Sequence, residues 1–196
     1  LLVVIDNTIV NVAIPTFARD LNASTTGLQW IVDAYTLAFA CLLLPAGHLG
    51  DRIGRRRVLV IGLAAFGVVS GATALCTTLD AVTTCRALLG VCAALVYPAT
   101  LSLIMTTFEG SSRKGLAVGL WAATSGLGIA LGPILGGLLL EHFSWESIFW
   151  VNVPLALITV PAVLVAVPES RSSEKARFDV VGAILSAIGV GALVWG

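Results

Sequence analysis

The sequence predicts an all-α integral membrane protein, a six-helix bundle followed by the start of a seventh span. Three observations predict it. Hydrophobic residues make up 58% of the chain and charged residues only 11%, against about 25% charged in soluble domains. The apolar residues gather into blocks close to the ~20 residues a helix needs to cross a bilayer. Nine of the eleven Lys and Arg residues fall in alternate loops between those blocks: Arg52, Arg55, Arg56 and Arg57, then Arg113 and Lys114, then Arg171, Lys175 and Arg177.

A bilayer admits helices or closed barrels, because an unpaired backbone group is too costly in lipid. Long apolar runs without strict alternation mean helices rather than barrel strands. The predicted spans are 1–17, 28–49, 58–76, 81–107, 114–140 and 147–167. The first 167 residues thus read as one six-helix unit whose first span is truncated. Residues 168–177 read as a polar linker, and 178–196 as the start of a seventh helix. By the positive-inside rule the arginine-rich loops face the cytoplasm.

The first span contains VIDNTIVNVAIP, in which Asn7, Thr8 and Asn11 share a helical face with Asp6 at its edge. An ionisable group inside a membrane is costly, so Asp6 is a candidate proton-titratable site facing a cavity. In the second span Gln29, Asp33 and Thr36 form one polar stripe. Asp33 lies nearer the outer end, where water reaches it. The fourth span holds Arg86 on one face with Gly90, Ala93 and Tyr97. Arg86 lies at a depth close to that of Asp33, and an Asp33–Arg86 pair would lower the cost of both. Asp6 is the other available partner, and snorkelling to the interface is the alternative to any pair.

Between the second and third spans runs GHLGDRIGRRRVLV, with Gly47, Gly50 and Gly54 set around Asp51 and four arginines. A cytoplasmic anchor explains the arginines but not the aspartate or the glycine spacing. The fifth span repeats glycine at Gly128, Gly132 and Gly136, with Pro133 and Gly137 between and after them. Such spacing suits either a close-packed helix seam or a pliable contact between two halves that rock against each other.

Cys41, Cys76, Cys85 and Cys92 lack the paired spacing of a metal site and read as buried thiols. Spacing alone gives no support to a Cys76–Cys85 bridge across the short outer loop. His48 and His142 fall in loops on opposite sides, so no nucleophile–base constellation of an enzyme forms. No metal or nucleic acid is expected. The aromatic residues Trp30, Tyr35, Tyr97 and Trp121 suit a hydrophobic or cationic ligand, but helix packing explains them better.

Taken together, these residues resemble the major facilitator superfamily, and within it the fourteen-span drug:proton antiporters. The stretch from Gly47 through Asp51, Arg52, Gly54, Arg55 and Arg56 resembles the superfamily's loop between helices two and three. Ile5–Pro15 resembles the first-helix motif of the fourteen-span branch, and Arg86-x-x-x-Gly90 the fourth-helix motif. Gly128-x-x-x-Gly132-Pro133-x-x-Gly136-Gly137 is similar to the antiporters' fifth-helix motif, and Ile148–Pro154 to the start of their sixth helix.

The resemblance implies a multi-pass transporter of the bacterial cytoplasmic membrane rather than an enzyme. It would export drugs or other small hydrophobic or cationic compounds by alternating access, energised by the proton gradient and not by a cofactor. Asp6, Arg86 and Asp33 would couple the proton, and Asn7, Asn11, Gln29 and Tyr97 would line the substrate cavity. The arginine loop would be a conformational latch whose other half lies in a missing C-terminal bundle. An uptake symporter or facilitator on the same fold is the alternative, and a non-transporting sensor or scaffold a more distant one.

Overall fold

The computed structural model describes residues 1–170 and Gly189. The expected seventh span and most of the linker, including Arg171, Lys175 and Arg177, lie outside the described residues. Seven helices follow one another: α1 (Leu2–Asp20), α2 (Thr25–Ile53), α3 (Arg55–Thr73), α4 (Leu79–Thr107), α5 (Lys114–His142), α6 (Ser147–Trp150) and α7 (Asn152–Ala166). The last two are separated only at Val151 and together form one span, so the described chain crosses the membrane six times.

The six spans appear where hydropathy places them, but their ends move. α2, α4 and α5 each run for 29 residues, about 43 Å at 1.5 Å per residue. That exceeds the roughly 30 Å hydrocarbon layer. Hydropathy marks where lipid ends, whereas a helix can continue into water on charged residues. The arginine loop is accordingly almost all helix, with Gly54 as the single residue between α2 and α3. At the opposite face α3 stops at Thr73, earlier than expected, and residues 74–78 make the turn into α4.

Local capping explains two of the starts. The Ser24 hydroxyl accepts from the Gly27 N–H at 3.2 Å and opens α2. The Thr78 hydroxyl accepts from the Ala81 N–H at 3.4 Å and opens α4. Each satisfies one of the donors that the first turn of a helix leaves unpaired.

The helices pack mainly as α2 on α4, α3 on α4, α1 on α5 and α3 on α7. α1, α3 and α4 supply most of the buried surface, while α2 and α5 bury little of theirs. α5 buries only Gly128, Gly132 and Gly136, and these lie against α1. A Cβ at Gly132 would collide with Thr8 Oγ1, one at Gly128 would sit 2.9 Å from Val4 Cβ, and one at Gly136 would sit 3.0 Å from Ile9 Cγ1. The Thr8 hydroxyl also donates to the Gly128 carbonyl at 3.3 Å. The glycine repeat is therefore a packing seam inside this bundle, with its glycines turned towards α1 and not towards another half. Gly137 faces open space.

Candidate functional site

Asp6 does not face a cavity. It is fully buried, as are Arg86, Ser70 and Asn152, and the four meet in the middle of the bundle. Arg86 Nη1 donates to Asp6 Oδ2 at 2.6 Å. Asn152 Nδ2 donates to the other carboxylate oxygen at 2.8 Å and to Ser70 Oγ at 3.0 Å. The Ser70 hydroxyl in turn donates to the Phe149 carbonyl at 2.9 Å.

Arg86 is gripped on two more sides. Its Nε donates to the Ile31 carbonyl at 3.1 Å, and its guanidinium carbon lies 4.2 Å from the centre of the Tyr35 ring. A cation over an aromatic face is attracted by the ring quadrupole, more strongly where water is excluded. The Tyr35 hydroxyl donates to the Val3 carbonyl at 3.2 Å, back on α1. Every span except α5 thus supplies a group to this network. Among the described residues, Arg86 Nη2 and Asn152 Oδ1 remain buried without a hydrogen-bond partner. One spare donor and one spare acceptor therefore belong to the same network.

Of the two partners open to Arg86, the structure pairs it with Asp6 and not with Asp33. Asp33 is half-buried on α2, two residues beyond the carbonyl that Arg86 uses. Depth along a helix brought Asp33 and Arg86 level, but pairing depends on which way each helix face is turned. Nor does Arg86 snorkel: its side chain is fully buried and held by Asp6, the Ile31 carbonyl and the Tyr35 ring.

The four candidate cavity residues do not converge either. Asn7 is half-buried, while Asn11 and Gln29 are exposed. Tyr97 packs between Phe39 and Trp121, with ring centroids 5.9 and 5.2 Å away. This cluster ties α4 to α2 and α5, as the packing interpretation of the aromatics requires. A cavity of about 320 Å³ is present elsewhere, at the arginine-rich end, lined by Arg55, Leu101, Ser102, Met105, Thr106, Glu109 and Lys114.

At that end Asp51, in the last turn of α2, accepts from Arg55 at the start of α3. Its Oδ1 lies 2.8 Å from Nε and 2.7 Å from Nη2. The pair spans Gly54, whose φ of +117° is strained for any residue with a Cβ. Glu169 packs against the same glycine, where a Cβ would approach its Oε1 to 2.6 Å. Glu169 Oε1 accepts from the Arg56 N–H at 3.2 Å, and Oε2 lies 3.5 Å from Arg57 Nε. Arg56 Nη1 donates to the Val167 carbonyl at 3.1 Å, and the Arg55 N–H donates to the Ser170 carbonyl at 2.9 Å. The residues following α7 therefore cap the positive N-terminus of α3. Part of what holds the arginine loop is within this bundle, not wholly in a second one. Gly47 makes ordinary contact with Pro98, and Arg52 is exposed.

A family model described as Major Facilitator Superfamily matches residues 1–195. The chain belongs to the major facilitator superfamily. It is a multi-pass membrane protein of a transporter family, not an enzyme. It is 46% identical to the multidrug efflux pump LfrA of Mycolicibacterium smegmatis over its whole length, which is 39% of that protein. It is 40% identical to the tetracenomycin C resistance and export protein of Streptomyces glaucescens, covering 100% of this chain and 36% of that one. The methyl viologen resistance protein SmvA of Salmonella typhimurium is also 40% identical, over 98% of this chain and 39% of its own. The chain thus spans about two fifths of the curated relatives it matches.

Two solved structures carry the major facilitator fold at low identity. A crystal structure of a peptide transporter, POT, in complex with sulfate aligns with TM-score 0.73 at 16% identity, over 99% of this chain and 43% of that one. A bacterial homologue of the human lysosomal transporter Spinster, inward-facing and unoccupied, aligns with TM-score 0.63 at 16% identity, over 91% and 43%.

Three residues of these two regions, Ser70 and Asn152 beside Asp6 and Glu169 beside the arginine loop, do not stand out in the sequence. Ser70 and Asn152 are ordinary polar residues in apolar helices until the fold brings them to Asp6. Asn152 carried one available signal: it stands between valines in the IFWVNVP stretch, where its amide needs a buried partner. Glu169 looked like one charge among several in a linker.

Proposed function

We propose that this chain is the N-terminal six-helix half of a proton-driven exporter of drugs or small hydrophobic or cationic compounds, in the fourteen-span branch of the major facilitator superfamily. The names of three relatives support it, each an efflux, export or resistance protein. The observation that carries the mechanism is the Asp6–Arg86–Asn152 network, sealed and joined to five of the six spans.

Asp6 is the proton carrier. As a carboxylate it holds Arg86 through one oxygen and Asn152 through the other. Taking up a proton removes the charge that balances Arg86 and weakens the hydrogen bonds on both oxygens. Five spans are tied to that network, so one proton changes how they are held together. Arg86 sets the proton affinity of Asp6, and Asn152 and Ser70 position its second oxygen. Asp33, half-buried on the polar stripe of α2 with Gln29, is a secondary proton site. Asn7, Asn11 and Gln29 face away from the bundle core, where a second bundle and the substrate would meet them.

The arginine loop works at the cytoplasmic end. Asp51 and Arg55 clamp α2 to α3 across Gly54, leaving the loop to engage the other bundle in the outward-open state. Gly128, Gly132 and Gly136 keep α1, and with it Asp6, against α5, while Pro133 is exposed on another face of α5. We assign residues 1–167 to the bundle, 168–177 to the linker and 178–196 to the start of a seventh span.

The test is Asp6→Asn in the full-length protein, reconstituted in vesicles and assayed for proton release on substrate addition. We expect substrate binding to persist while substrate-driven proton movement is lost. Proton movement unchanged from wild type excludes Asp6, and proton and substrate moving in the same direction in the wild type makes the protein a symporter.

A further inference from the structure

We propose that Cys76 and Cys85 close to a disulfide on the outer side of the membrane, stapling the α3–α4 hairpin next to the buried ion pair. Their sulfurs lie 3.8 Å apart, which is van der Waals contact. Cys76 is in the turn after α3, and Cys85 is in the second turn of α4. Both are partly accessible, whereas Cys92 is buried. A disulfide needs its sulfurs at about 2.05 Å, so less than about 2 Å separates these two from bonding distance.

The compartment follows from charge. Arg52, Arg55, Arg56, Arg57, Arg113 and Lys114 crowd the opposite face, whereas residues 74–78 contain no Lys or Arg. The positive-inside rule puts the thiol pair outside the cytoplasm, where disulfides form and persist. Burial, and then the neighbouring Cys85 sulfur, push the Cys76 thiol up to about 11. That disfavours the thiolate, the form that reacts.

The oxidant in this proposal is an oxidised dithiol protein outside the membrane, which acts by exchange. One cysteine, as thiolate, attacks the donor disulfide, forming a mixed disulfide and releasing the donor's first thiol. The other cysteine then attacks its neighbour's sulfur in that mixed bond and expels the donor's second thiol. The two protons lost by Cys76 and Cys85 match the two gained by the donor, which leaves as a dithiol.

The position of the staple gives it reach. Cys85 directly precedes Arg86, and Cys76 lies six residues beyond Ser70. The bond joins the two helices that bring Arg86 and Ser70 to the Asp6 network. It lies wholly within this bundle, so it leaves free any motion of this bundle as a body.

The experiment uses the full-length protein in native membranes, quenched in acid, alkylated without reduction and digested with trypsin. The peptide 58–86 has no internal Lys or Arg and carries only these two cysteines, since Cys41 and Cys92 fall in other peptides. We expect it unalkylated and lighter by two hydrogen atoms than the dithiol, and doubly alkylated once reduced. An impermeant phosphine should open the bond in right-side-out vesicles and leave it closed in inside-out ones. Double alkylation without prior reduction overturns the proposal, and so does opening only from the arginine-rich face.

Discussion

Two aspartate–arginine pairs lie in this molecule at nearly equal distance and in opposite surroundings. Asp6 and Arg86 meet at 2.6 Å with neither side chain exposed, whereas Asp51 and Arg55 meet at 2.7 Å with side chains 44% and 14% exposed. The attraction between two charges grows as the dielectric falls, and so does the cost of leaving either one alone. The inner pair must therefore stay matched or change its protonation. The outer pair can break and re-form against water at little cost, as the proposed latch requires.

The sharpest way to break this contrast is Arg86→Ala. It strands a buried carboxylate, and we expect a loss of about 3–5 kcal/mol, seen as a fall in the thermal unfolding midpoint of the full-length protein in detergent. Arg86→Ala as stable as wild type would show that the inner pair is not confined. Asn152→Ala should cost less, about 1–3 kcal/mol, because it removes one donor to a charged oxygen and leaves the ion pair intact. Its specific mark is a shifted pH dependence of substrate-driven proton release, which a purely structural defect would not produce.

Gly54→Ala probes the outer region through the backbone. A Cβ at φ +117° and against Glu169 should cost on the order of 1–3 kcal/mol, with loss of the Glu169 cap on α3. Cysteine accessibility at the loop reads this out directly. The smallest expected effect on stability is Asp51→Asn, under about 1 kcal/mol for an exposed pair. Its effect should appear instead in the balance of inward- and outward-open states, measured by cross-linking or spectroscopic distances. Raising salt should mimic Asp51→Asn and leave the inner pair untouched.

The two regions were unequally legible in the sequence. Alternating arginine loops and blocks of spanning length identify six crossings and their direction, since both signals survive without tertiary knowledge. Asp6 and Arg86 announce themselves because a charge in lipid demands a reason. Their pairing does not, since depth along a helix leaves its rotation open and Asp33 sits at the depth of Arg86. Ser70 and Asn152 are uncharged and carry little local signal. The fifth-span glycines were visible as a seam, but only packing shows that α1 fills it.

Three exposed polar residues share one habit. Asn11 donates to the Asn7 carbonyl, Thr36 to the Val32 carbonyl and Thr124 to the Trp121 carbonyl, each within its own helix. Water is thus not their only partner. A wall built this way can be wetted when a pathway opens and dried when it closes, without stranding a donor at each turn.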